Sequence, residues 1–240
     1  MTSAAAAASA EPPVFAVEER LVFESGGTHW SVPEVEVEAA QWLALVPEDA
    51  RPGDDPSYEL ARVVATILPP ERGRLRLLGQ DVYALPPLER QQLRTQLGFV
   101  HRAGGLLSNL SIRDNLAMPA SVHAQLDLEQ EYAHVTQMLQ ELELLGVADH
   151  LPHQLNELDR WCCCLARALS LEPAWLVVEG MSAGSPAARL PVAWSTLLRR
   201  RADRGLSMVV CLPTTDVEFE AAFVECGGSV VHYGRAGGEQ

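Results

Sequence analysis

Lysine is absent from this 240-residue chain: all 18 basic residues are arginine, so any chemistry that requires an ammonium group is excluded within it. Positive charge of any kind is scarce. Against 32 acidic residues the formal net charge is −14, which argues against nucleic acid as a partner, because phosphate neutralisation needs basic patches. No run of 18 or more apolar residues occurs, so no segment is expected to span a membrane, and any membrane association is expected to be indirect. Paired cysteine motifs are missing too. Of five cysteines, three are consecutive (Cys162, Cys163, Cys164) and two stand alone (Cys211, Cys226). Neighbours on a helix point about 100° apart and cannot converge on one metal. Without CxxC spacing they read as reduced, buried thiols of a cytosolic protein, and no metal site is expected. The opening "MTSAAAAASAEPP" has neither the basic start nor the apolar core of a signal peptide. Residues 1–13 are expected to form a disordered tail, and 236–240 a second short one.

What is present is alternation. Short apolar runs at Trp42–Val46, Leu75–Leu78, Leu97–Val100, Trp175–Val178, Met208–Cys211 and Val230–Tyr233 predict strands. Helical patterns fall between them, at Tyr58–Ile67, Pro87–Gln96, Ile112–Met118, Leu128–Leu145, Asn156–Ser170 and Leu190–Arg204. Within the fourth, Leu128, Val135, Leu139, Leu142 and Leu145 recur at helical spacing and predict one buried face. Alternating strands and helices imply an α/β domain, here 14–235, with a mainly parallel sheet and flanking helices. The stretch 107–153 shows helices without strands and reads as an inserted helical subdomain. "LLRRRADR" (Leu197–Arg204) ends a helix before Gly205, where arginines complement the helix dipole. His150 and His153 flank Pro152 and are read as surface residues.

Two longer stretches carry a resemblance. "GRLRLLGQDVYALPPLERQQLRTQLGFVHRAGGLLSNLSIRDNLAMP" (Gly73–Pro119) resembles the middle of an ABC-transporter ATP-binding subunit. "LPHQLNELDRWCCCLARALSLEPAWLVVEGMSAGSP" (Leu151–Pro186) resembles the signature helix and Walker B strand of the same family. "AGGLLSNLSIRDNLAMP" is nearest to subunits of Mla-type (MCE-associated) phospholipid and organic-solvent-resistance transporters. The resemblance implies a P-loop NTPase-like ABC nucleotide-binding domain with an N-terminal β-rich part.

The family's catalytic parts can be checked residue by residue. Walker A, GxxxxGK[ST], wraps backbone N–H groups around phosphates, with a lysine on the β/γ charge and a hydroxyl on Mg²⁺. Counting back from Gly73 sets "RPGDDPSY" (Arg51–Tyr58) on that motif, with Ser57 at the lysine position and Tyr58 at the hydroxyl position. Counting forward from Val46 puts Gly53 at the lysine position instead. Neither register supplies lysine; Arg51 is the one cation of the loop. Pro47, Pro52 and Pro56 remove three N–H donors, and Asp54 and Asp55 add repulsion toward phosphate. The loop reads as a solvated acidic turn capping the next helix.

The remaining motifs depart independently. The signature LSGGQ corresponds to "LNELD" (Leu155–Asp159), with Asn156 at the serine position and Glu157 and Leu158 in place of the glycines. The Walker B carboxylate falls on Glu179, and the next position, a water-polarising glutamate in the family, is Gly180. The Q-loop glutamine corresponds to Arg102, after His101. The switch histidine corresponds to Leu212 or Pro213, and the D-loop region reads "AGSP" (Ala183–Pro186). Trp30 lies where the family places an adenine-stacking aromatic, and core packing is the preferred reading.

These departures predict a degenerate cassette with no catalytic residues and no expected cofactor, ATP and Mg²⁺ entering only if residual binding persists. What the resemblance implies is a structural or regulatory subunit docked on an ABC permease or an ATPase partner, in the cytoplasm at the inner face of the membrane. The alternatives are an ATP-hydrolysing subunit of an Mla-type lipid transporter with an atypical site, and a freestanding soluble adaptor.

Overall fold

Strands with no exposed position lie in the middle of a mixed sheet. The computed structural model describes residues 12–102, 105–123, 128–180 and 191–237. In it β4 (Trp42–Pro47), β8 (Trp175–Glu179) and β9 (Ser207–Cys211) are buried at every residue, as parallel strands covered on both faces must be. With β7 (Leu97–Val100) and β10 (Ser229–Arg235) they form the parallel half, in the order β10-β4-β9-β8-β7. The antiparallel half consists of β1 (Phe15–Ser25), β2 (Thr28–Val32), β3 (Val35–Val37), β5 (Arg72–Leu77) and β6 (Gln80–Asp81). β10 joins the two: Ser229–Tyr233 runs parallel to β4, and Gly234 and Arg235 pair antiparallel with Ser31 and Trp30 of β2.

Alternation along the strands divides the core. Leu43 and Leu45 of β4 face one cluster, with Phe15, Trp30, Leu60, Val64, Trp175 and Tyr233. Trp42, Ala44 and Val46 face the other, with residues of α3 (Ile112–His123), α4 (Leu128–Glu141), α5 (Glu157–Leu169), α6 (Pro191–Arg204) and α7 (Val217–Glu225). α1 (Ser57–Val64) covers the first face, joined by Leu93 of α2 (Pro87–Arg94). Trp30 is buried edge-on against Tyr233, with centroids 5.9 Å apart, so it is a core residue.

Between residues 107 and 153 the described residues form α3, α4 and two short 3-10 turns. Of the stripe expected along the helix Leu128–Leu145, Val135, Leu139 and Leu142 are buried and Leu145 is 45% exposed, while the burial of Leu128 lies outside what is described. The α-helix ends at Glu141, and Glu143 takes φ 56°. That break turns Leu144 inward in place of Leu145. His150 and His153 are exposed. Arginines near the end of α6 are held by acceptors: Arg200 by Glu141 at 2.9 Å, Arg201 by the carbonyls of Ala40, Cys226 and Gly227. Cys162, Cys163, Cys164 and Cys211 are buried free thiols, and burial pushes the Cys162 thiol up to about 12 and Cys164 to about 11. Among the described residues no group of His, Cys, Asp and Glu is arranged to hold a metal, and no helix is long and apolar enough to cross a membrane. Residues 1–11 and 238–240 of the expected tails lie outside the described residues, as does the Ala183–Pro186 region.

Candidate functional site

Parallel strands bring the segments after their carboxyl ends together, and ligands of open α/β sheets bind at that edge. Here the edge gathers the loop 48–56 after β4, His101 and Arg102 after β7, Gly180 after β8 and Leu212 after β9. Each is fixed by its strand. The Gly180 N–H donates to the Cys211 carbonyl at 2.8 Å, and the Leu212 N–H to the Leu45 carbonyl at 2.9 Å.

The loop after β4 is tied to itself and to its surroundings. Its Glu48 N–H donates to the Tyr233 carbonyl (2.9 Å), the Asp54 N–H to the Arg51 carbonyl (2.9 Å) and the Arg51 N–H to Asp54 Oδ2 (3.0 Å). Pro52 and Pro56 have no N–H. Much of the loop's backbone donor capacity is therefore absent or already committed. Ser57 and Tyr58 open α1, while Gly53 lies in the turn before it. The Ser57 hydroxyl, fully buried, donates to Asp55 Oδ1 at 2.6 Å. Tyr58 lies under the Arg62 guanidinium (4.1 Å to the ring centroid) and edge-on to His101. Arg51 is exposed.

The expectation of a solvated acidic turn is corrected here. No side chain caps α1, whose N-cap is Pro56. Asp54 Oδ2 accepts from Arg235 Nη2 at 2.5 Å, and Asp55 Oδ2 pairs with Arg102 Nη1 at 2.5 Å. The two carboxylates are only about 30% exposed: 29% for Asp54 and 31% for Asp55. Desolvating them partly is tolerable because each has a guanidinium partner.

Glu179 ends β8 with a side chain only 1% exposed, its Oε2 3.3 Å from His101 Nδ1. Burial pushes its carboxyl up to about 7; Arg102, through its charge and backbone N–H, opposes that shift, and Asp55 reinforces it. His101 moves the other way, lowered by burial and by the charges of Arg62 and Arg102. The contact thus joins an imidazole that resists protonation to a carboxyl that resists ionisation, and it is not a simple ion pair. Next to it Gly180 has φ 68°, and a Cβ built there would meet Arg102 Cδ at 2.6 Å. The stem of Arg102 fills the volume that a side chain at position 180 would need.

At the start of α5, Asn156 is an N-cap: its Oδ1 accepts from the Asp159 N–H at 2.8 Å, and its amide donates to Asp159 Oδ2. Glu157 and Leu158 project outward, Leu158 being 40% exposed. After β9, Leu212 is fully buried. Of the positions singled out from the sequence, the structure brings together Ser57, Tyr58, Arg102 and Glu179; Arg51, Gly53 and Asn156 stand apart from that group by their contacts. No sequence motif points to Arg235 or to a partner for Asp54 and Asp55. Asp54 and Arg235 are 181 residues apart, and no local pattern encodes such a pair.

No protein-family model matches the chain. Among curated proteins it is 25% identical, over 74% of its length and 79% of the relative's, to the lipoprotein-releasing system ATP-binding protein LolD 1 of Rhodopirellula baltica. It is 26% identical over 66% of its length to the intermembrane phospholipid transport system ATP-binding protein MlaF of Haemophilus influenzae, spanning 60% of that protein. Methionine and sulfate/thiosulfate import ATP-binding proteins match comparably, so the Mla-type subunits are one of several similar groups. Of the solved structures, a dimeric bacterial ABC transporter cassette superposes with a TM-score of 0.73 at 17% identity, covering 92% of this chain and 94% of that one. Sequence relatives and fold agree: the chain is a homologue of ABC-transporter ATP-binding subunits and carries the fold of their cassette.

Proposed function

We propose that this chain is a cassette subunit that does not hydrolyse ATP and serves a structural or regulatory role on an ABC permease or an ATPase partner. The observation that carries the reading is the Arg102 side chain lying over Gly180. The position that follows the Walker B carboxylate has no group to polarise water, and the space for one is filled. The residues present do not fit Mg²⁺-ATP. The chain has no lysine, three of the loop's N–H groups are already bonded and two of its positions are proline, and Asp54 and Asp55 give the loop negative charge that repels phosphate. At the signature position, Glu157 adds charge and Leu158 adds bulk to the face that would close over a partner's nucleotide.

Partner and place follow from kinship. As a homologue of LolD and MlaF subunits, the chain would sit in the cytoplasm and reach the membrane through a permease. Equilibrium titration with a labelled ATP analogue and Mg²⁺ tests the reading. No detectable binding at millimolar nucleotide is expected; micromolar affinity with turnover overturns it. Glu179, a carboxylate in the Walker B place, favours the competing reading of an ATP-hydrolysing subunit with an atypical site, and the same titration decides between them.

A further inference from the structure

Two arginines from distant parts of the chain hold the loop that would otherwise receive phosphate. Arg102 follows β7 and reaches Asp55; Arg235 ends β10 and reaches Asp54, each at 2.5 Å. Asp55 also accepts from the Ser57 hydroxyl at the first turn of α1. Asp54 Oδ2 accepts from the Arg51 N–H as well as from Arg235. Resting on the reading above, we propose that Asp54 and Asp55 are an internal substitute for phosphate. Their carboxylates occupy the two guanidinium groups and clamp the loop 48–56 shut between β7 and β10, in one conformation that does not depend on nucleotide.

The charges around the loop account for the arrangement. Arg62 faces the site from α1, His101 and Arg102 from the end of β7, Glu179 from β8 and Arg235 from β10. Asp55 gives Arg102 a counter-charge at the rim of His101, where the Arg62 charge also acts. Without Arg102, Asp55 would be left two-thirds covered beside Glu179, with the Ser57 hydroxyl but no charged partner. The bond serves both sides, and its two ends are anchored on different strands. A clamp of this kind lowers the rate at which the loop opens while leaving the strand ladders alone.

Amide hydrogen exchange on the full chain, without nucleotide, tests this. The probes are the Glu48, Arg51 and Asp54 amides, with β8 amides as the control for global folding. Asp55→Asn and Arg102→Gln are each expected to speed loop exchange about tenfold, and the double variant no further, since both remove one bond. Raising salt to 1 M on the unaltered chain is expected to act in the same direction, because the pair is partly exposed and screened. Unchanged loop protection in Asp55→Asn, or a double variant equal to the sum of the singles, overturns the clamp. Should a variant unfold, β8 exchange reveals it, and loop protection unchanged by 1 M salt then overturns the clamp. Tight ATP binding would defeat the functional reading and the substitution for phosphate with it, whereas a loose loop in the absence of nucleotide would defeat the clamp alone.

Discussion

At the scale of single residues, Glu179 offers a measurable pH dependence. With its carboxyl at about 7 in the folded chain against an ordinary 4.5, the folded state keeps a proton that the unfolded state gives up between those values. Stability from this group is therefore complete below pH 4.5 and is lost as pH rises through 7. His101, shifted down, works in the opposite sense below its ordinary value of 6.5. Glu179→Gln cannot ionise, so it should gain on the parent chain between pH 5 and pH 8 by on the order of 2–3 kcal/mol. Denaturant unfolding at the two pH values checks this; an equal difference at both would mean that the carboxyl is charged throughout. The positions of Glu179 and Arg102 were legible from motif register alone. Their contacts were not, because the alignment of motifs says which residue type is lost and nothing about what fills the space. Gly180 also makes the loss awkward to reverse singly: at φ 68° a side chain there is strained and its Cβ would displace the Arg102 stem, and removing Arg102 strips Asp55 of its charged partner.

The elements differ in how legible they are in the sequence, for physical reasons. β7 is continuous and apolar and was bounded from sequence at both ends; β4, β8 and β9 each extend by one residue. β1 escaped because Glu18, Glu19 and Arg20 interrupt its apolar pattern at an irregularity in register, where Glu19 and Arg20 both take positive φ. α7 escaped because it leaves Val217 and Val224 exposed while burying Phe219 and Phe223, which blurs the helical stripe. The signature helix is legible as a helix over Asn156–Ser170, but the motif register says nothing of the cap that Asn156 forms. Its observed work is capping. Asn156→Ala should therefore lower stability by about 1 kcal/mol, with Asn156→Ser recovering most of it. An unchanged denaturant midpoint in the alanine variant would show that the cap contributes nothing.

For the molecule as a whole, the sheet separates two apolar clusters that share the strands β4, β8 and β9. Thiols report on both faces: Cys162, Cys163 and Cys164 belong to one and Cys211 to the other, while Cys226 is partly exposed. If the faces open as one unit, a maleimide should label Cys226 promptly and the other four together, only when the chain unfolds. Earlier labelling of Cys162–Cys164 than of Cys211 would show that the helical face opens by itself. The placing of β10 bears on how the molecule comes into being. It lies between β2 and β4, yet among the described strands it is the last in the chain. During synthesis both halves of the sheet are made with facing edges bare, and they wait for this strand to be delivered from the ribosome. Arg235, the residue that secures Asp54, arrives with it. The phosphate-loop position is thus among the last parts of this sheet to take its final form, although its own residues precede most of the strands around it.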